Sequence, residues 1–247
     1  MPLKAITKNE EEAFSWKLDK SIHKDTDFYC PYCGDEMIPI FPKKNIIQHF
    51  RHKNNEAHGE PETKEHLALK KRIYEEIKAH CNKKDIVVEL EEKIKSRFEK
   101  KFADIYVTDG IKALVIECQC SPISYEEMKE RNKFYVKRKS YNKNKSRDIY
   151  WVLGGKYFQN TQETYKRTGR NGDFEVQRIS KIEKFLLNSG GIPPLHFDYK
   201  NSKFYTITYN YKERRGKGGK CKYLGWYNLK PRKFSKILES KMGSFYE

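Results

Sequence analysis

Phe102-Ala103-Asp104-Ile105-Tyr106-Val107-Thr108-Asp109-Gly110-Ile111-Lys112-Ala113-Leu114-Val115-Ile116-Glu117-Cys118-Gln119 is the stretch that decides the fold. Residues 102–107 alternate in the manner of a strand with one buried face, and residues 113–118 form an apolar run interrupted only by Glu117. Thr108-Asp109-Gly110 between them is a hairpin signal. Successive side chains of a strand point to opposite faces, so parity assigns the faces when the loop has an even number of residues. Ala103, Ile105 and Val107 then share a face with Leu114, Ile116 and Cys118, and that apolar face belongs against a core. The other face carries Asp104 on one strand and Glu117 and Gln119 on its neighbour. A four-residue loop sets Asp104 directly opposite Glu117; a two-residue loop sets them on a diagonal.

Two carboxylates so close on a half-buried sheet repel each other. Either a divalent cation removes the penalty, or both acids turn to solvent and pair with the many lysines. Mg²⁺ or Mn²⁺ would need only two carboxylates and a nearby carbonyl, because such ions keep several waters. Spacing alone leaves both readings open.

Upstream, Pro61 precedes a helical stretch opened by Glu62-Thr63-Lys64-Glu65-His66. Leu69, Ile73 and Ile77 recur every four residues, and Glu65 lies one step back on that stripe. Glu65 is either a charge favoured by the helix dipole or a site residue. His66 projects about 100° round the helix from it. It is either an accessory to phosphate or a satisfied structural histidine. Ile86–Leu90 reads as a strand. Ser124-Tyr125-Glu126-Glu127 is a capping box for a helix running to about Tyr141, and Asp148–Leu153 is a strand closed by Gly154-Gly155. From residue 63 the order is helix, three strands, helix, strand, which fits a compact α/β domain.

Nearer the start, Cys30-Pro31-Tyr32-Cys33 precedes His49-Phe50-Arg51-His52. A CxxC turn presents two thiolates to one ion, two histidines can complete a tetrahedron, and Cys₂His₂ suits Zn²⁺. Phe28-Tyr29 and Met37–Phe41 would be the short strands of a zinc-ribbon-like module, with Gly34 at the turn. Four ligands, Cys30, Cys33, His49 and His52, argue for a closed structural site. The rival is a redox pair beside surface histidines.

The chain has 247 residues, 51 Lys plus Arg against 34 Asp plus Glu, a formal charge of +17, and only 37% hydrophobic residues. No segment has the roughly 18 apolar residues of a membrane span, and Met1–Trp16 has the mixed charge that a secretory signal lacks. A soluble, cytoplasmic protein with no membrane partner is expected. Six cysteines in such a chain do not suggest a disulfide framework; Cys81 and Cys221 read as packing residues. Residues up to 154 hold 31 basic and 26 acidic side chains, and those beyond hold 20 and 8. The later part therefore suits a polyanion, nucleic acid first, unless Lys-rich composition merely reflects AT-biased coding.

In that part Ile179–Leu187 fits a short amphipathic helix, and Gly190-Gly191-Ile192-Pro193-Pro194 is a breaker. Phe197–Tyr199 and Lys203–Tyr211 suggest a hairpin turned at Asn201-Ser202. Arg214-Arg215-Gly216-Lys217-Gly218-Gly219-Lys220 reads as a flexible cationic loop, suited to nucleic-acid backbone contact or simply solvated.

Taken together, the CxxC…HFRH module, Glu65-His66, Phe102–Val107 and Val115-Ile116-Glu117-Cys118-Gln119-Cys120-Ser121-Pro122-Ile123-Ser124 resemble the competence protein CoiA family of nuclease-like proteins, within the PD-(D/E)xK nuclease superfamily. Arg131 and Trp151-Val152-Leu153 also fit, so the resemblance covers about residues 28–155. It implies a restriction-endonuclease-like αβββαβ core over residues 61–155, preceded by a zinc-ribbon-like module within residues 1–60 and followed by a basic α+β extension over 156–247. It also implies Mg²⁺- or Mn²⁺-dependent hydrolysis of DNA phosphodiester bonds, in competence, DNA processing or defence. The metal would be held by Glu65, Asp104 and Glu117, with Zn²⁺ structural. Single-stranded or branched DNA is a candidate substrate, and RNA is not excluded. The superfamily's usual lysine two residues beyond the Glu is here Gln119, which can position water but carries no charge. The missing charge could come from Lys101. Arg131, Arg214, Arg215, Lys217 and Lys220 are further candidate nucleic-acid contacts. The competing class is a non-catalytic, zinc-containing DNA-binding accessory protein; an RNase is a third.

Overall fold

The computed structural model describes residues 2–43, 46–54, 62–81, 86–95, 99–136, 146–154, 165–167, 174–176, 181–190, 194–199, 202–215 and 221–232. The chain divides into two compact units, Met1–Glu117 with Lys137–Asp148, and Cys118–Val136 with Ile149–Glu247.

The first unit begins with a five-stranded antiparallel sheet in the order β2-β1-β3-β4-β5. Its strands are β1 (Lys4–Thr7), β2 (Glu12–Phe14), β3 (Phe28–Tyr29), β4 (Glu36–Ile40) and β5 (His49–His52), with a short helix α1 (Lys20–His23) between β2 and β3. Its core is small: Ala5, Ala13, Phe28, Cys30, Met37 and Phe50, with Leu18 and Tyr32 packed against them. The Phe28 and Phe50 rings lie 5.1 Å apart.

Helix α2 (Lys64–His80) follows, capped by Thr63, whose side chain accepts from the His66 amide. Leu67, Leu69, Ile73, Tyr74 and Ile77 are buried, so the expected stripe is the packed one. Three antiparallel strands come next: β6 (Val87–Lys95), β7 (Lys100–Thr108) and β8 (Lys112–Gln119), whose last two residues belong to the second unit. Strand β6 outruns the expected Ile86–Leu90. The apolar alternation breaks at Glu91-Glu92, yet Ile94 returns on the Val88–Leu90 face and is buried.

The hairpin turns with the longer of the two expected loops. Thr108 pairs with Ala113, Val107 with Leu114, and Ile105 with Ile116. Asp109 Oδ1 accepts from the amides of Ile111 and Lys112 at 2.8 and 2.6 Å. Gly110 sits at φ +86°, a left-handed conformation in which any Cβ is disfavoured. Ala103, Ile105, Val107, Leu114, Ile116 and Cys118 are all buried, as parity requires.

In the second unit, helix α3 (Tyr125–Tyr135) is capped by Ser124, which accepts from the Glu127 amide at 3.0 Å. The helix ends earlier than the expected Tyr141, because Val136 is already extended. Strand β9 (Ser146–Leu153) runs into the unit, and Trp151 Nε1 donates to Asn132 Oδ1 of α3 at 2.7 Å. Helix α3, strand β9 and the preceding α2, β6, β7 and β8 give the expected order of helix, three strands, helix, strand.

The remaining elements are β10 (Tyr165–Arg167), β11 (Phe174–Val176), α4 (Lys181–Gly190), β12 (Leu195–Asp198), β13 (Lys203–Arg215) and β14 (Cys221–Arg232). Strand β12 lies parallel to β9 and antiparallel to β13. The β12–β13 hairpin turns where expected, with Ser202 at φ +52°. Helix α4 extends through Ser189-Gly190, beyond the expected Leu187 and into the start of the breaker. A buried contact joins Glu183 Oε1 to His196 Nε2 at 2.8 Å. Arg214 and Arg215 are not in a flexible loop: they pair with Lys222 and Cys221 across the β13–β14 ladder. Lys217 and Lys220 lie outside the described residues. Among the described residues, no helix is long and apolar enough to cross a membrane.

Candidate metal centre

Glu62, His66 and Lys70 recur every four residues, a spacing that puts all three on one side of α2 and its N-terminal approach. That side meets the hairpin at Asp104. His66 Nε2 is 3.1 Å from Asp104 Oδ2, and His66 Nδ1 is 3.7 Å from Glu62 Oε1. Ligand atoms of Glu62, His66 and Asp104 all lie within 4.8 Å of one another. Lys70 Nζ is 2.6 Å from Glu62 Oε1, 2.7 Å from Glu91 Oε1 and 3.7 Å from Asp104 Oδ1.

The strands deliver the acids in a row. Leu90 pairs with Ile105 and Glu92 with Ala103, so Glu91 stands opposite Asp104. The Ile105–Ile116 pairing likewise places Asp104 opposite Glu117. The Asp104 amide approaches Glu117 Oε1 at 3.4 Å, and Glu117 is only 2% exposed. Glu91 departs from strand geometry, with φ +58°. A β-carbon in the left-handed region costs about 1–2 kcal/mol, so surrounding contacts must hold it there.

Burial would lower the proton affinity of Lys70, but Glu91, Glu62 and Asp104 outweigh it and hold its pKa well above the ordinary value. Lys70 is therefore a fixed cation. For His66, burial again pulls downward, while the charge and hydrogen bond of Asp104, aided by Glu62, prevail over burial and Lys70 and raise it. Glu62, Glu91 and Asp104 thus stand against one permanent positive charge, Glu62 and Asp104 also face one imidazole, and Glu117 lies beside Asp104, an acid-rich cluster that a divalent cation would suit. Two carboxylate oxygens and an imidazole nitrogen form a donor set that suits such an ion.

The sequence-derived residues divide between those this centre gathers and those it does not. Asp104 and Glu117 are adjacent, as parity requires. Glu65 is half-buried in the first turn of α2, beside His66 in sequence, and is not among the three clustered donors. Gln119 lies two residues beyond Glu117 on β8, and its Nε2 donates to the Ser121 carbonyl at 2.7 Å. Lys101 pairs with Glu99, and Arg131 pairs with Glu127 on α3 at 3.1 Å. Glu62, Lys70 and Glu91 escaped sequence reasoning. The four-residue spacing of Glu62, His66 and Lys70 could have found two of them. The signal for Glu91 was only the break in alternation.

A second cluster lies in the N-terminal sheet. Gly34, at φ +78°, closes the CxxC turn, and its amide donates to the Cys30 carbonyl at 2.9 Å. Ligand atoms of Cys30, Cys33 and His52 lie within 4.8 Å of one another, with Cys33 Sγ 3.6 Å from His52 Nε2. Two thiols and an imidazole suit Zn²⁺. His49 does not join them. It is three residues from His52 on β5, so the two side chains leave the strand on opposite faces. Its Nδ1 lies 2.7 Å from the Ile47 carbonyl.

The chain is a mixed α/β protein that carries a nuclease-like domain. Residues 62–212 match the family model described as competence protein CoiA, nuclease-like domain. That match spans more than half of the chain, which therefore belongs to the competence protein CoiA family. Neither the curated proteins nor the solved structures contain a match.

Proposed function

We propose that this chain is a metal-dependent nuclease that hydrolyses DNA phosphodiester bonds, built on a PD-(D/E)xK-type core. The observation that carries the reading is the convergence of Glu62, His66 and Asp104 on one point, with Glu117 beside Asp104. A divalent cation bound there supplies Lewis-acid polarisation of phosphate and a water of lowered pKa. The residues around it have separable tasks. Asp104, Glu62 and His66 would bind the ion, and the nitrogen donor favours Mn²⁺ over Mg²⁺. Lys70 holds Glu62 and Glu91 in place. Glu117 holds the Asp104 backbone and adds negative charge. Glu65, one turn position away, is the remaining helix acid that could reach the ion through water, and Gln119 would orient the attacking water. Zn²⁺ at Cys30, Cys33 and His52 would be structural.

A second reading rests on Gln119. A side chain that cannot carry charge, with its amide nitrogen donated to Ser121, also suits a non-catalytic DNA-binding accessory protein. A cleavage panel separates the two. Single-stranded, duplex, flap and RNA substrates are incubated with Mn²⁺ or Mg²⁺, with and without EDTA, using wild type and Asp104→Asn. The nuclease reading expects cleavage that EDTA and Asp104→Asn abolish while DNA binding persists. Equal inertness of both proteins on every substrate, with tight binding retained, would establish the accessory role.

A further inference from the structure

Glu91 is held at both ends by the N-terminal sheet. Its carboxylate accepts from the Leu3 amide at 3.0 and 3.1 Å and from Lys70 Nζ at 2.7 Å. Its carbonyl accepts from the hydroxyl of Tyr32, the residue between Pro31 and Cys33 in the CxxC turn. The Tyr32 ring meets Phe102 of β7 edge-on at 4.8 Å, and the Lys93 ammonium lies 6.0 Å from it.

These contacts account for the backbone of Glu91. At φ +58° its peptide is turned away from the regular ladder to β7, and the phenol supplies a partner for the diverted carbonyl. The same twist fixes where the carboxylate goes: onto Lys70, which also holds Glu62 and faces Asp104. Burial, then the carboxylates of Glu92 and Glu91, keep the phenol protonated, so it remains a donor.

We propose that Tyr32 is a positioning residue for the acid cluster: its hydroxyl locks Glu91 in the left-handed conformation, and Glu91 through Lys70 sets the spacing of Glu62 and Asp104 for divalent-metal binding. The inference rests on the metal-centre reading above. It gives the CxxC turn a task at the centre beyond shaping its own sheet, because the tyrosine rides on the turn that the cysteines close. The variant Tyr32→Phe removes one oxygen and leaves the ring on Phe102.

Mn²⁺ binding to the full-length protein, measured by electron paramagnetic resonance well below the melting temperature, tests this without recourse to catalysis. Losing one neutral hydrogen bond should raise Kd about threefold to tenfold in Tyr32→Phe. Glu91→Gly, which accepts a left-handed backbone but has no carboxylate, should raise it at least as much. Tyr32→Phe should add little in the Glu91→Gly background, since one chain of interactions is being cut twice. A folded Tyr32→Phe protein with wild-type Kd overturns the proposal, as does full additivity of the two changes. If Tyr32→Phe does not fold, Glu91→Gly takes its place, and an unchanged Kd there overturns the proposal as well, because it cuts the same chain at its next link. Asp104→Asn separates this idea from its foundation. Wild-type Mn²⁺ binding in that variant sinks the metal-centre reading itself, whereas abolished binding there beside an unmoved Tyr32→Phe sinks only the positioning role.

Discussion

The two donor clusters of the first unit are close in composition and opposite in construction. Each joins one imidazole to two acidic groups: Cys30, Cys33 and His52 in one, Glu62, Asp104 and His66 in the other. The thiol cluster takes two donors from a four-residue turn and the third from a strand of the same small sheet. The carboxylate cluster takes two donors from one side of a helix and its approach, and the third from a hairpin some forty residues later. The soft donors sit around a core of few side chains, so a metal there would contribute mainly to folding. The hard donors sit over a larger core already ordered by α2, β6, β7 and β8, so a metal there would be free to be exchanged.

The largest separation between the two should come from Asp104→Asn and Cys30→Ser. Asp104→Asn should reduce Mn²⁺-dependent DNA cleavage by about 10³-fold or more, the scale on which an essential charge-stabilising group acts, while zinc content by metal analysis stays at the wild-type level. Cys30→Ser should do the reverse to zinc content and also lower the melting temperature, because structural zinc supplies about 10–16 kcal/mol of apparent binding energy. A zinc content unaffected by Cys30→Ser would erase the distinction.

Next in size is the choice between helix acids. Glu62→Gln should weaken Mn²⁺ binding about 10- to 100-fold, and Glu65→Gln by no more than about twofold, the level of a charge that lies outside the cluster. Titrations with the opposite ranking would restore Glu65 to the centre.

The histidine gives a smaller, pH-dependent effect. In the metal-free protein the His66 pKa is raised above its ordinary 6.5, against the pull of burial, by Asp104 and Glu62. A raised folded-state value means that the protonated ring stabilises the fold. The contribution is complete below 6.5 and is lost as pH climbs through the raised value. His66→Gln should therefore destabilise the EDTA-treated protein more at pH 6 than at pH 9 in urea melts, and equal losses would contradict the shift. Protons and metal compete for the same nitrogen, so wild-type Mn²⁺ affinity should also rise with pH over that range.

Smallest for each residue is the basic extension. Neutralising Arg214, Arg215, Lys217 and Lys220 should weaken DNA binding and flatten its salt dependence by about 0.9 in log–log slope for each phosphate left without its cation. An unchanged slope would remove these four residues from the interface.

The same contrast explains what could be read from the residues alone. The turn at Cys30–Cys33 is local, so spacing disclosed it. His49 was misjudged as a companion because its partner's position depends on secondary structure: a three-residue step places side chains together on a helix but apart on β5. Parity alone placed Asp104 and Glu117, since both belong to one hairpin. Glu65 entered the expected site through the family resemblance; on the helix it continues the Leu69–Ile73–Ile77 stripe, whose apolar members are buried in the core. The clustered side chains of α2 and its approach lie on the neighbouring Glu62–His66–Lys70 line, whose spacing is legible in the sequence but whose meeting with Asp104 of β7 is not. Glu91 depends on hydrogen bonds from Leu3 and Tyr32, about 60–90 residues away in the chain; no local pattern encodes that.

The bend between β7 and β8 acts as a gauge of length. Surface bends of this kind ordinarily accept insertions at little cost, but Gly110 and the double acceptance by Asp109 Oδ1 fix this one at the count that seats Asp104 against Glu117. One residue more or fewer would force the two strands either to slip or to turn one carboxylate into the apolar layer. A scan that changes side chains one at a time would never expose this dependence; only variants of altered length would.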